Sequence, residues 1–309
     1  MADHPDFSSI DMIREQLAHQ RYIADQSLAT VIYLSYHLAK PIFLEGEPGV
    51  GKTEIALVLA DMLSTKLIRL QCYEGLDANS ALYEWNYPKQ LLRIKMDEQC
   101  RRSPEEMGHV IYSEPYLIKR PLLEAILSAR GNTPVLLIDE LDRADEEFEA
   151  FLLEILSDFQ VSIPEIGTLK ASRIPVVVIT SNRTRDIHDA LKRRCLYHWI
   201  DYPDLDKELE IIRTRVPNLQ DSLAHQVAIF MQNIRREDLM KKPGISETLD
   251  WAQALIKLQR HALDADTVNQ TLGCILKYRE DIQKFKSSIW IDPDKRTQLL
   301  TAYSAQNAS

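Results

Sequence analysis

The sequence predicts an α/β fold: a three-layer αβα core around a five-stranded, mainly parallel sheet, followed by a small all-helical domain. Three observations predict it. Short, continuous apolar runs at Ile42–Leu44, Val135–Ile138 and Val176–Ile179 have the composition of strands buried on both faces. Helical patterns lie between strand candidates, and such alternation favours a parallel sheet with covered faces. Beyond Pro203, four helical stretches follow one another without a convincing strand.

Residues 10–38 read as helical, with Ile10, Ile13 and Leu17, then Ile23 and Leu28 through Leu38, and Pro41 ends them. Ile42–Leu44 is the first strand. A glycine-rich turn follows, after which Ile55, Leu59, Met62 and Leu63 mark one helical face. Leu67–Leu70 is a second strand. Residues 74–120 are irregular, with Pro88, Pro104 and Pro115. A structureless loop of about 45 residues is out of place in a compact domain, so inserted elements are expected there. Leu122–Ala129 reads as a short helix stopped at Gly131. After the strand at Val135–Ile138, the spacing of Phe148, Phe151, Leu152, Ile155 and Leu156 predicts a helix. Phe159–Lys170 alternates and is broken at Pro164 and Gly167, which reads as a hairpin. Val176–Ile179 and the shorter Tyr197–Asp201 complete the strands. The later helices are expected near 206–216, 221–236, 246–263 and 266–285. The boundary falls at Tyr202–Asp204, giving a core over 1–203 and a helical domain with its tail over 204–309. The closing TAYSAQNAS has the look of a frayed end.

Composition narrows the function classes. The formal net charge is 37 − 46 = −9, and the basic residues are dispersed, which weighs against a nucleic-acid groove as the main working surface. No stretch approaches the roughly 20 apolar residues that span a bilayer. The opening MADHPDFSSIDMIREQ has neither an apolar leader core nor an Arg-rich transit pattern, so a cytoplasmic protein is expected. Cysteines at 72, 100, 195 and 274 lack zinc-site spacing and read as structural thiols.

The chemistry concentrates in four segments. Gly46-Glu47-Pro48-Gly49-Val50-Gly51-Lys52-Thr53, with Glu54 behind it, satisfies G-x-x-x-x-G-K-[ST] between a strand and a helix. The glycines let backbone N–H groups curl round a phosphate, Lys52 brings a point charge to the β- and γ-phosphates, and Thr53 is placed to ligate Mg²⁺. ATP with Mg²⁺ is the expected cofactor pair. Val135-Leu-Leu-Ile-Asp-Glu140 is an apolar strand ending in two acids. Taken alone, those acids could cap the next helix. With the phosphate loop upstream, Asp139 is suited to Mg²⁺ and Glu140 to the attacking water. Asn182 ends another apolar strand, where it serves either as a turn residue or as a group that orients water. Ala190-Leu-Lys-Arg-Arg-Cys195 offers either an exposed basic helix end or a guanidinium for a γ-phosphate.

The order GEPGVGKT, VLLIDE, ITSN, Arg pair and helical domain resembles an AAA+ ATPase over nearly the whole chain. LIDELDRA and LLEILSDFQVSIPE resemble the MoxR branch. QCYEGLDANSALYEWNYPKQLL, VVVITSNRTRDIHDALKRRCLYHWIDYP and KKPGISETLDWAQAL are similar to CoxD-type members, and the NorQ and CbbQ activators share the layout. The resemblance implies Lys52 and Thr53 as the Walker A pair, Asp139 and Glu140 as the Walker B acids, and Asn182 as sensor 1. It implies Arg194 as the arginine finger with Arg193 as its alternative, and Arg143 as a second group that reaches a neighbouring nucleotide. Residues about 74–96 match the family's helix-2 insert and about 159–170 its hairpin before sensor 1, both facing the pore of a ring, usually a hexamer. The family's sensor-2 arginine has no counterpart in Gly244-Ile-Ser-Glu-Thr-Leu249. The implied partners are a von Willebrand factor A protein of the CoxE type and a client such as a molybdenum hydroxylase, for example carbon monoxide dehydrogenase. A remodelling ATPase is thus the leading expectation. A nucleic-acid-dependent motor or loader is the alternative, and a small-molecule kinase comes third.

Overall fold

The computed structural model describes residues 7–97, 104–128 and 133–300. The first six residues, Cys100, Gly131 and the TAYSAQNAS tail lie outside them. The chain divides into two units. One holds the residues up to Gln16, Ala24–Glu45 and Lys52–Trp199; the other holds Leu17–Ile23, Gly46–Gly51 and the chain from Ile200 on.

The segment read as helical over 10–38 holds two helices, α1 (Ile10–His19) and α2 (Gln26–Leu38). Asp25 accepts the Leu28 N–H at 2.8 Å and so starts a fresh helix as its N-cap, while Arg21 takes a left-handed φ of 60°. Next come β1 (Ile42–Gly46), α3 (Lys52–Met62) and β2 (Leu67–Gln71). The irregular stretch carries inserted elements: α4 (Ala78–Leu82), β3 (Tyr83–Trp85), α5 (Tyr87–Asp97), α6 (Pro104–Ile111) and β4 (Leu117–Lys119), with β3 and β4 antiparallel. Along α5, Tyr87, Leu91, Leu92 and Met96 are 60–65% exposed. The unit continues with α7 (Pro121–Leu127), β5 (Val135–Asp139), α8 (Glu146–Asp158), the hairpin β6 (Gln160–Ile163) and β7 (Gly167–Lys170), β8 (Val176–Ser181), α9 (Asp189–Lys192) and β9 (Leu196–Ile200).

Strands β2, β5, β8, β1 and β9 form one sheet in that order. β2 pairs parallel with β5, β5 with β8, and β8 with β1, with Ile42 beside Val178 and Leu67 beside Val135. This is the α/β P-loop architecture with a five-stranded parallel sheet. Apolar residues on both faces explain it: Val135–Asp139 is buried at every position, and Phe43, Leu70, Leu136, Phe148, Leu152 and Ile179 share one core. The polar strand tips gather at the carboxyl ends, where open parallel sheets bind ligands. Burial pushes the Cys72 and Cys195 thiols up to about 12, far from thiolate reactivity.

The second unit carries α10 (Leu205–Arg215), α11 (Asp221–Ile234), α12 (Ile245–Lys257), α13 (Ala265–Ile275), α14 (Arg279–Lys284), a π-helical turn at Phe285–Ile289 and α15 (Pro293–Leu300). The helix expected over 266–285 is two helices, because the backbone extends at Leu276 with φ −105° and ψ 123°. Its core packs Phe230, Trp251, Phe285 and Trp290 together, and the Trp251 indole N–H donates to Thr271 Oγ1 at 2.8 Å. One ion pair is buried here. Arg235 grips both Glu208 oxygens at 2.6 and 2.7 Å and donates through Nε to the Pro243 carbonyl at 2.8 Å. Thr248 adds a hydroxyl to Glu208 at 2.8 Å.

Removing one partner strands the other charge in the core. Arg235→Ala is expected to cost about 3–5 kcal/mol in a denaturant titration, while the apolar pair Glu208→Leu with Arg235→Met recovers most of that loss.

Candidate active site

The acids at the end of β5 organise the first unit's candidate site. The apolar run of β5 carries the Asp139 carboxylate into a nearly water-free position, with its side chain 3% exposed. A buried carboxylate requires donors and a counter-charge, and neighbouring elements supply them. The Thr53 hydroxyl, on the first turn of α3, donates to Asp139 Oδ1 at 3.0 Å. Thr180 on β8 donates to the same oxygen at 2.6 Å. Arg69 on β2 donates to Oδ2 at 2.6 Å. The Thr53 hydroxyl and the Asp139 carboxylate are hard oxygen donors, the set that a magnesium ion takes.

Glu140 sits one residue further, in left-handed backbone with φ 55° and ψ 52°. Such a conformation costs a non-glycine residue on the order of 1–3 kcal/mol and persists where surroundings hold it. Its N–H donates to Thr180 Oγ1 at 2.9 Å. Its two carboxylate oxygens accept from Asn182 Nδ2 at 3.3 Å and from Gln71 Nε2 at 3.1 Å. Asn182 is fixed in turn by Asp142, which accepts its N–H at 3.2 Å and the Thr184 N–H at 2.8 Å. Thr53, Asp139, Glu140 and Asn182 therefore converge, with Lys52, itself buried, next to Thr53 in α3. The backbone N–H groups at the start of α3 add a partial positive charge.

Of the three candidate arginines, Arg143 stands at the edge of that cluster, while Arg193 and Arg194 follow α9. Arg143 is 59% exposed, with Nε 3.9 Å from Glu140 Oε2. Arg193 and Arg194 are both exposed at the end of α9, and Arg194 donates to the Leu153 carbonyl of α8 at 2.6 Å. α9 is anchored by buried Leu191 and by Lys192, whose Nζ lies 3.4 Å from the buried Glu45 carboxylate.

The second unit holds Gly46–Gly51, with Glu47, Pro48, Gly49 and Val50 in its turn. Gly49 has φ 79° and Gly51 φ 94°, values a side chain resists. The N-terminus of α12 rests on this turn. Ser246 gives both its N–H (3.1 Å) and its hydroxyl (3.4 Å) to the Gly49 carbonyl, and Glu247 accepts the Gly244 N–H at 2.9 Å. A Cβ at Gly244 would meet the Pro48 oxygen at 2.7 Å and the Gly49 oxygen at 2.9 Å.

Sequence reasoning missed Arg69, Gln71 and Thr180. The first two carried a faint signal: in Leu67-Ile-Arg-Leu-Gln71 the polar residues alternate with buried ones and so share one face of β2. Among the described residues no helix is long and apolar enough to cross a membrane.

The family model of the AAA domain, dynein-related subfamily, matches residues 41–195. An uncharacterized protein of Staphylococcus haemolyticus is 27% identical over 249 residues, covering 78% of this chain and 85% of that relative. One of Staphylococcus epidermidis is 26% identical over 242 residues, covering 76% and 82%. Among solved structures, the Thermotoga maritima RuvB Holliday junction branch migration motor aligns with a TM-score of 0.45 and 17% identity, over 85% of this chain and 70% of that one. Domain III of the Thermotoga maritima replication initiation protein DnaA aligns with a TM-score of 0.45 and 13% identity, over 84% and 96%.

Two glycine substitutions separate the close approach at Gly244 from ordinary helix propensity. Gly244→Ala is expected to lower stability by about 1–3 kcal/mol, since Pro48 and Gly49 must give way. Gly273→Ala, inside α13 with nothing within 4 Å of its Cβ, is expected to raise it by about 1 kcal/mol. Thermal unfolding of both variants checks the contrast.

Proposed function

The chain belongs to the AAA domain family, dynein-related subfamily, and from that premise we propose that it is a MoxR-type ATPase of the CoxD kind, which hydrolyses Mg-ATP within a ring to remodel a protein client. The P-loop fold implies nucleotide binding. The observation that carries the proposal further is the convergence of Thr53, Asp139, Glu140 and Asn182 at the strand tips.

In this reading, the loop of Glu47, Pro48, Gly49, Val50, Gly51, Lys52, Thr53 and Glu54 cradles the phosphates through its backbone N–H groups, Pro48, which has none, serving only the turn, and Lys52 neutralises the β- and γ-oxygens. Thr53 and Asp139 would hold Mg²⁺, which would supply charge to offset that of the phosphate oxygens. Glu140 takes the proton of a water that Asn182 helps to orient. The water oxygen bonds to the γ-phosphorus, the bond to the bridging oxygen breaks, and ADP leaves with phosphate. A second acid beside the metal-holding one favours hydrolysis over transfer to a metabolite.

Arg194, or its neighbour Arg193, reaches the nucleotide of the next subunit, with Arg143 as a further contact. Their exposure supports that role, because a group serving another chain has to stand in solvent in its own. The apolar face of α5 supports a surface that meets other chains, since contiguous exposed apolar patches mark interaction sites. The proposed partners are further copies of this chain in a hexameric ring, a von Willebrand factor A protein, and a client of the molybdenum hydroxylase class such as carbon monoxide dehydrogenase.

Lys52→Ala is expected to weaken ATP binding itself. Arg194→Ala, with Arg193 intact, is expected to spare binding and to cut turnover about a thousandfold; unchanged turnover sinks the finger assignment. Glu140→Gln trapped with ATP is expected to retain its client in a pull-down. A von Willebrand factor A protein or a molybdoenzyme subunit among the captured chains supports the proposal, whereas captured DNA overturns it.

A further inference from the structure

Arg69 has no part in the hydrolytic scheme above, yet its guanidinium is the counter-charge of the buried acid. It lies 2.6 Å from Asp139 Oδ2, while both hydroxyl donors take Oδ1. Oδ2 is therefore the oxygen left to a cation, and a cationic side chain already occupies it. β2 and β5 pair with Arg69 beside Leu137 and Gln71 beside Asp139, so a side chain at 69 reaches the strand tip from the adjacent strand.

Arg69 is also held from outside the carboxylate. The same Nη2 donates to Gln71 Oε1 at 2.7 Å, and the side chain is 53% exposed against 3% for Asp139. The guanidinium can thus turn from the carboxylate towards water while keeping its Gln71 partner, without opening the core. Two cations within about 4 Å of one another repel strongly wherever the effective dielectric is below that of water. Arg69 in its observed position and a divalent ion on Asp139 therefore oppose each other.

We propose that Arg69 is a resident counter-ion of Asp139 that competes with the divalent metal and turns out towards solvent, beside Gln71, when metal binds. The inference rests on the metal role assigned to Asp139 under the proposed function. It makes Arg69 a positioning residue that sets the magnesium concentration at which the site assembles. Without metal, Arg69 spares the sheet a bare buried carboxylate. With metal, it withdraws.

The test uses Mn²⁺ alone as the probe, titrated into the nucleotide-free full chain and followed by electron paramagnetic resonance. Arg69→Gln is expected to lower the half-saturating Mn²⁺ concentration about tenfold, because a like charge has been removed from beside the ion. Arg69→Lys, which keeps the charge, is expected to stay within about twofold of the parent chain. Asp139→Asn in the Arg69→Gln background is expected to abolish the gain, which locates the ion. Equal affinity in the parent and Arg69→Gln chains, including no binding to either, overturns the proposal, as does weaker binding by Arg69→Gln. A parallel titration with a fluorescent ATP analogue, with Mg²⁺ and with EDTA, separates the two readings. Failure of the parent chain to bind the analogue in either condition counts against the ATPase function, while the Mn²⁺ result still decides the role of Arg69. A general loss of structure in Arg69→Gln would weaken analogue binding equally in both conditions, whereas competition with metal changes only the Mg²⁺ arm.

Discussion

The buried carboxylate of Asp139 is the constraint around which the first unit is arranged. A charge with so little access to water is tolerable only when several donors meet it, and those donors come from three elements beside its own strand. Thr53 brings in α3, Thr180 brings in β8, and Arg69 brings in β2. Each bond fixes an element that also carries another polar group of the site. Thr180 receives the Glu140 N–H, which holds that residue in its left-handed conformation. Asn182 directly follows β8, Gln71 ends β2, and these two amides cover the two oxygens of Glu140.

Much of this was legible in the sequence, for reasons that differ between elements. The strands of the sheet could be read because a doubly covered strand is apolar throughout, and the phosphate-loop turn because its backbone angles admit few residues other than glycine. Asp139, Glu140 and Asn182 could be read because polar residues at the ends of apolar runs mark strand tips. Arg69 could not. Its significance lies in pairing across strands, between residues 69 and 139, and single-sequence periodicity does not carry register. The inserted α4, β3, α5, α6 and β4 were expected only as a class: α4, β3 and β4 are three to five residues long, and α5 leaves its apolar Tyr87, Leu91, Leu92 and Met96 exposed, so no buried stripe marks it. The break between α1 and α2 rested on one capping aspartate, Asp25, inside an otherwise helical pattern, and the break at Leu276 had no proline to announce it, its nearest glycine, Gly273, lying within α13.

The second unit shows a different economy. The first turn of α12 places the Ser246 N–H and hydroxyl on the Gly49 carbonyl. Gly244 permits the approach, and the buried Glu208–Arg235 pair, with Thr248 of α12 on the same carboxylate, ties α12 to α10 and α11. The hydroxyl of Tyr202, pushed up to about 12 mainly by burial, stays protonated beside Arg235, whose guanidinium lies 5.0 Å from the ring centre. The helical unit is thereby held through polar bonds that locate its helices as well as through the apolar core around Trp251.

The strand order also imposes a timetable on biosynthesis. β1 lies between β8 and β9, so the strand that leads into the phosphate loop borders only segments made much later. Ile42 pairs with Val178, a separation of 178 − 42 = 136 residues. At the usual ribosomal pace of about 5–20 residues per second, β1 waits roughly 7–27 s for its first neighbour. Throughout that interval Ile42, Phe43 and Leu44, all buried at the end, remain an unpaired apolar segment on a growing chain. Until β8 is made, that segment has to be kept from other apolar surfaces, a demand set by the strand order itself.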